Sequence, residues 1–123
     1  MCRKIALADN EIEVWGDGKQ TRSLLYIDEC INATRKLMES EETGPFNIGS
    51  EEMVSINELV DIVSKIADKK ISIKHIDGPL GVRGRNSDNK LIQEKLGWSY
   101  SMTLSEGMKI TYDWIFEQLN KIE

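Results

Sequence analysis

Two capping boxes constrain this chain more than anything else in it. In Ser55-Ile56-Asn57-Glu58, and again in Thr103-Leu104-Ser105-Glu106, a hydroxyl residue is followed three places on by glutamate. The hydroxyl oxygen can accept the amide of the third helical residue while the carboxylate reaches back to the amide of the cap, so each box starts a helix at a defined residue. After the first, Ile56, Leu59, Val60, Ile62, Val63, Ile66 and Ala67 form one apolar stripe, with Asp61, Ser64, Lys65 and Asp68 on the other side. Val54, just before the cap, can staple onto Leu59. After the second, the stripe is Leu104, Met108, Thr111, Ile115, Leu119 and Ile122, with Trp114 alongside. Both stripes must be buried, and the remaining segments have to supply the surface they pack on.

Those segments read mainly as strands. Ile71 to Ile76 alternates apolar and polar residues, and so does Ile12 to Trp15, which then meets the permissive turn Gly16-Asp17-Gly18. Ser23 to Ile27 is a short apolar run suited to a second strand or extended segment, and Phe46 to Gly49 reads as a further brief strand. Asp28 is placed to cap a helix from Glu29 to about Met38, with Ile31, Ala33, Thr34, Leu37 and Met38 at helical spacing. Asp77 to Asn86 is punctuated by proline and glycines and reads as a loop. Ser87 or Asp88 then caps a short helix carrying Leu91, Ile92 and Leu96, with Gly97 at its C-terminal stop. The mixture of strands and helices is an α/β pattern without a repeat period. A chain of 123 residues can bury roughly two thirds of its unfolded surface around one core, so residues 1–123 are expected to form one domain.

Charge and motif content exclude several functions. The formal net charge is −5, the wrong sign for non-specific binding to nucleic acid. No apolar run approaches the roughly 20 residues of a bilayer span, and Met1 to Ala6 has no signal-peptide core, so no membrane partner and a cytoplasmic location are expected. Cys2 and Cys30 read as reduced thiols, too far apart for a local zinc pair. His75 sits inside a predicted strand and reads as a surface or structural residue rather than a catalytic base. Gly16-Asp17-Gly18 begins like a dinucleotide fingerprint, but Thr21 stands where the third glycine belongs. None of Tyr26, Tyr100 and Tyr112 is followed four residues later by lysine, so the catalytic pair of short-chain dehydrogenases is absent. What remains is positive charge on turns: Arg22 after the Gly-Asp-Gly turn, and Arg83 with Arg85 in the glycine-punctuated loop before the Ser87 or Asp88 cap. Forked guanidinium donors suit the oxygens of a diphosphate, and a helix N-terminus would add amides. Ion pairing with some of the 21 acidic residues explains the same arginines equally well.

Five stretches carry a resemblance: Trp15 to Ser23, Tyr26 to Cys30, Phe46 to Ser50, Val82 to Asp88 and Leu96-Gly97-Trp98. In that order they resemble the C-terminal part of the extended short-chain dehydrogenase/reductases acting on nucleotide sugars, and most of all the GDP-mannose 3,5-epimerase branch. The resemblance runs over nearly the whole chain. It implies the substrate-binding portion of such a fold, a small mixed sheet with about four helices. The N-terminal Rossmann domain, with its NAD loop, Tyr-x-x-x-Lys pair and acid and base, would then lie outside this sequence, leaving the chain inactive alone. It also implies a homodimer for the whole enzyme and a nucleotide sugar, GDP-mannose, as ligand. Carried across, Arg22 and Arg83 match arginines that contact the substrate diphosphate, and Arg85, Asn47 and Ser87 are further candidates nearby. Dehydration or decarboxylation of a nucleotide sugar, and a binding domain with no chemistry, are the alternatives.

Overall fold

Both capping boxes close as their spacing requires. In the computed structural model, which describes residues 1–121, the Ser55 hydroxyl accepts the Glu58 amide at 3.1 Å and the Glu58 carboxylate accepts the Ser55 amide at 2.7 Å. Thr103 and Glu106 make the same reciprocal pair at 3.3 and 2.8 Å. They begin α3 (Ile56–Ile66) and α5 (Leu104–Asn120). Val54 and Leu59, the staple pair, are both buried in one cluster. Ile122 lies outside the described residues.

Around these two helices stand α1 (Cys2–Leu7), β1 (Glu11–Trp15), β2 (Thr21–Ser23), α2 (Ile27–Met38), β3 (Met53–Ser55), β4 (Ser72–Ile76), β5 (Gly84–Arg85) and α4 (Lys90–Leu96). The fold is mixed α/β, but the strands form two small sheets rather than one. β1 and β4 pair in parallel, from Glu11 opposite Ser72 to Trp15 opposite Ile76. In the other sheet β2 is central, antiparallel to β3 and parallel to β5. The larger core gathers Ile5, Ile12, Val14, Val60, Val63, Leu104 and Tyr112 from α1, β1, α3 and α5. A smaller one holds Ala33, Ile92 and Trp98, with Leu25, Phe46, Ile48, Leu96 and Tyr100 packed around it.

Several expectations are corrected. Five helices, not about four, are present among the described residues, because Cys2–Leu7 is helical. That helix has no side-chain cap; its C-terminal end is held by the Lys69 ammonium, which donates to the carbonyls of Ile5, Ala6 and Ala8 at 3.1, 2.8 and 2.8 Å. Phe46 to Gly49 makes no ladder, and Phe46 and Ile48 cover the smaller core instead. Gly84–Arg85, inside the predicted loop, joins the edge of β2. The second helix starts a residue before Asp28, which therefore sits in the first turn, with Tyr26 at the cap position. Of its predicted apolar face only Ala33 is buried; Ile31 and Met38 are exposed. The fourth helix starts at Lys90 with Asn89 at the cap position, although Asp88 does accept the Lys90 amide. Gly97 ends it at φ 60°, as its position predicts.

The end of α3 is a Schellman motif built without glycine. Asp68 adopts φ 51°, while the Lys69 amide bonds Ser64 O and the Asp68 amide bonds Lys65 O. This reversal sends Lys69 back to α1.

Candidate functional site

The central strand of the three-stranded sheet carries Arg22, and its register partner on β5 is Arg85. Neighbouring register partners in a ladder put their side chains on the same face. Both line a cleft of about 300 Å³ whose wall also includes Asn47, Gly49, Ser50 and Ser87. Arg22 donates to Thr21 O at 2.7 Å, and neither Arg22 nor Arg85 has a carboxylate partner among the described residues. Their charge is therefore free to meet an anion.

The rest of the lining is fixed by asparagine and serine bonds. Asn89, 5% exposed, donates to Gly49 O at 2.8 Å and accepts the Ser87 hydroxyl at 2.7 Å, tying the segment before α4 to the 46–50 stretch. The approach demands a glycine: a Cβ at Gly49 would lie 2.5 Å from the Ser87 Cβ. Asn47 donates to Asp88 O at 3.3 Å across the same seam. Asn89 is not distinguished by the sequence, where an asparagine before a helix reads as a cap. Its side chain is used instead for a bond 40 residues away.

Arg83 is placed differently. It does not line the cleft; its Nη1 and Nη2 donate to Asp17 Oδ1 and Oδ2, both at 3.0 Å. That forked bond, followed by the Lys19 amide at 2.9 Å, pulls the Asp17 carboxyl down to about 2. So of the two readings open for the arginines, ion pairing describes Arg83, whereas Arg22 and Arg85 stand in a cleft with Asn47 and Ser87. The turn bearing Asp17 is itself braced by Asn57, whose side chain donates to Asp17 O at 3.1 Å and whose Oδ1 lies 3.1 Å from His75 Nε2. His75 thus supports the turn.

Outside the cleft, Glu29 of α2 accepts the Ser101 hydroxyl at 2.7 Å and the amides of Ser101 and Met102, both at 3.1 Å. The Ser101 hydroxyl foremost, opposed by desolvation and helped by the two amides, holds its carboxyl below the usual range. Burial pushes the Cys2 thiol up, and both cysteines are unpaired. No group of three or more metal-ligating side chains is found among the described residues.

The Gly16-Asp17-Gly18 turn does not fit the pyrophosphate of a dinucleotide. It joins strand to strand rather than strand to helix, and the space at Gly18 is taken: a Cβ there would lie 1.8 Å from Asn57 Oδ1. The described strand-to-helix junctions, 24–26, Ser55 to Ile56 and 86–89, contain no glycine. None of these junctions is the glycine-rich strand-to-helix turn of the dinucleotide fingerprint.

Comparison with known proteins agrees with this architecture. A family model described as GDP-mannose 4,6 dehydratase matches residues 1–111. The chain is 54% identical over 120 residues to GDP-mannose 3,5-epimerase of Arabidopsis thaliana, covering 98% of this chain and 32% of that protein. It is 33% identical over 106 residues to UDP-glucuronic acid decarboxylase 5 of the same plant, covering 85% of this chain and 31% of the relative. Among solved structures, UDP-glucose 4-epimerase of Thermotoga maritima with UDP-glucose superposes with a TM-score of 0.88 at 27% identity, over 96% of this chain and 38% of that one. UDP-glucuronic acid 4-epimerase of Bacillus cereus, in complex with UDP-glucuronic acid and NAD, gives 0.83 at 31%, over 95% and 39%. The chain thus spans about a third of the length of the curated relatives it matches.

Proposed function

Because this chain belongs to the family described as GDP-mannose 4,6 dehydratase, among the extended short-chain dehydrogenase/reductases of nucleotide-sugar metabolism, we propose that it is the nucleotide-sugar-binding part of an NAD-dependent epimerase. GDP-mannose is the proposed ligand, on the strength of the likeness to GDP-mannose 3,5-epimerases. The observation that carries the reading is the cleft in which Arg22 and Arg85 stand side by side, free of carboxylates, with Asn47 and Ser87 in the same lining. Two guanidinium groups answer the charge of a diphosphate, and the amide and hydroxyl add bonds to its oxygens or to the attached sugar. Residues 1–123 form one domain in this reading. NAD, together with the acid and base of the chemistry, belongs to a part of the enzyme outside these residues, and the chain by itself is inactive. Among the described residues no helix is long and apolar enough to cross a membrane.

Calorimetric titration tests it. GDP-mannose should bind the chain more tightly than UDP-glucuronic acid, and Arg22→Ala should weaken it about tenfold or more, the loss expected for one charge-assisted hydrogen bond of ~1.5–3 kcal/mol. Lysine at the same position should rescue partly, since a point charge lacks the fork. Unchanged affinity in a folded Arg22→Ala variant would remove the cleft from the mechanism. The relatives named as UDP-glucuronic acid decarboxylases favour a second reading, decarboxylation or dehydration of a UDP-sugar, which preferential binding of UDP-glucuronic acid would support.

A further inference from the structure

Arg85 reaches the cleft from a segment with little to hold it. No residue from Asp77 to Asn86 is buried; Leu80 lies against Gly16 and Gly78 against Trp15, but both contacts are at the far end of the strap from Arg85. Its ladder to β2 is two residues long, Thr21 with Gly84 and Arg22 with Arg85, preceded by a bond from the Thr21 amide to Arg83 O at 2.9 Å. Ordering an exposed backbone costs more conformational entropy than so short a ladder returns. One side chain supplies a further fixed point. Arg83, two residues before Arg85, forks onto Asp17 through both terminal nitrogens at 3.0 Å, across 66 residues of sequence. Asp17 is a firm anchor, because its carboxylate also takes the Lys19 amide and its carbonyl takes the Asn57 side chain.

We propose that Asp17 and Arg83 are a positioning pair: by pinning the strap to the β1–β2 turn, they hold Arg85 beside Arg22 in the diphosphate cleft. The proposal rests on the reading of that cleft as a nucleotide-sugar site. It assigns Arg83 a role through Arg85 rather than a contact of its own with the phosphates. Its guanidinium faces Asp17, and leaving that carboxylate for a phosphate would release the strap that carries Arg85. Asp17, which the sequence offers only as the middle of a glycine turn, becomes part of the binding apparatus without touching the ligand.

The test is calorimetric titration of GDP-mannose into the 123-residue chain and its variants, with folding checked by circular dichroism and thermal midpoint. Asp17→Asn and Arg83→Gln should each weaken binding about three- to fivefold, the upper range for an exposed ion pair. The exchanged pair, Asp17→Arg with Arg83→Glu, should recover most of that loss. Hydrogen exchange in the absence of ligand should show the Thr21 amide, which bonds Arg83 O, less protected in either single variant and protected again in the exchanged pair. If the exchanged pair binds as poorly as Arg83→Gln, Arg83 touches the diphosphate itself and the proposal falls. Should both single variants match the parent while Arg22→Ala binds poorly, the pair is a surface ion pair, and the cleft stands without it. Full affinity in Arg22→Ala would remove the cleft and the positioning role together.

Discussion

Replacing Lys69 with methionine keeps the aliphatic stem and deletes three hydrogen bonds at once. The ammonium donates to Ile5 O, Ala6 O and Ala8 O at 3.1, 2.8 and 2.8 Å, at the end of a helix where backbone amides run short: of the three carbonyls, Ile5 O also takes the Ala8 amide, at 3.3 Å. A positive charge there also meets the negative end of the helix dipole. A hydrogen bond to a charged group contributes ~1.5–3 kcal/mol, but the three share one donor and the half-buried carbonyls can recruit water. The combined loss is therefore about 2–3 kcal/mol rather than three times a single bond. With a urea slope of ~2 kcal/mol/M, the unfolding midpoint should fall by roughly 1–1.5 M at unchanged slope. Hydrogen exchange should quicken first in Cys2–Leu7, whose hold on the rest depends on this contact and on the burial of Cys2 and Ile5. A midpoint shift under about 0.3 M would mean that water replaces the ammonium without penalty, and Lys69 would not be what holds α1 in place.

Two further expectations follow from particular residues. Asp68 holds φ 51°, a conformation that costs a side-chain-bearing residue energy and glycine almost none, so Asp68→Gly should raise stability by about 0.5–1 kcal/mol in urea titrations, and a loss would contradict the motif. The carboxyls of Asp17 and Glu29 are held below their ordinary values, Asp17 at about 2, so protonation favours the unfolded chain. The stability they lend is complete above the unfolded carboxylate range and is lost as pH falls through their folded values. Between about pH 5 and pH 2 the thermal midpoint of Glu29→Gln should fall less steeply than that of the parent, and parallel curves would refute the assignment.

What could be read in the sequence was what the chain settles locally. A capping box lies within four consecutive residues, so Ser55 with Glu58 and Thr103 with Glu106 were legible, as were the alternation behind β4 and the stop at Gly97. Helix α1 was not, because six residues without a side-chain cap owe their shape to Lys69, more than sixty positions away. Strand β5 exists only because β2 lies beside it, and Phe46 with Ile48 imitates a strand while serving the smaller core. At the site, resemblance singled out five side chains, of which the fold gathers Arg22, Arg85, Asn47 and Ser87 into one cleft and leaves Arg83 on Asp17. Nothing in the order of residues says which of the acidic side chains Arg83 meets, or that Asn89 spends its amide on Gly49.

The two hydrophobic clusters divide the molecule's tolerance for change. Leu25 and Ile48 line the cleft and also pack on the smaller cluster, whose fully enclosed members are Ala33, Ile92 and Trp98. The cleft thus stands between the clusters: Leu25 and Ile48 belong to the smaller one, while Arg22 pairs with Val54 of the larger. Trimming Ile92 to alanine would loosen the floor beneath Asn47 and Ser87 while α1, α3 and α5 stay assembled, whereas the same cut at Val60 or Ile5 would threaten the whole fold. Substitution around Ile92 and Trp98 can thus reshape the side of the cleft formed by Leu25 and Ile48 while the larger core stays assembled.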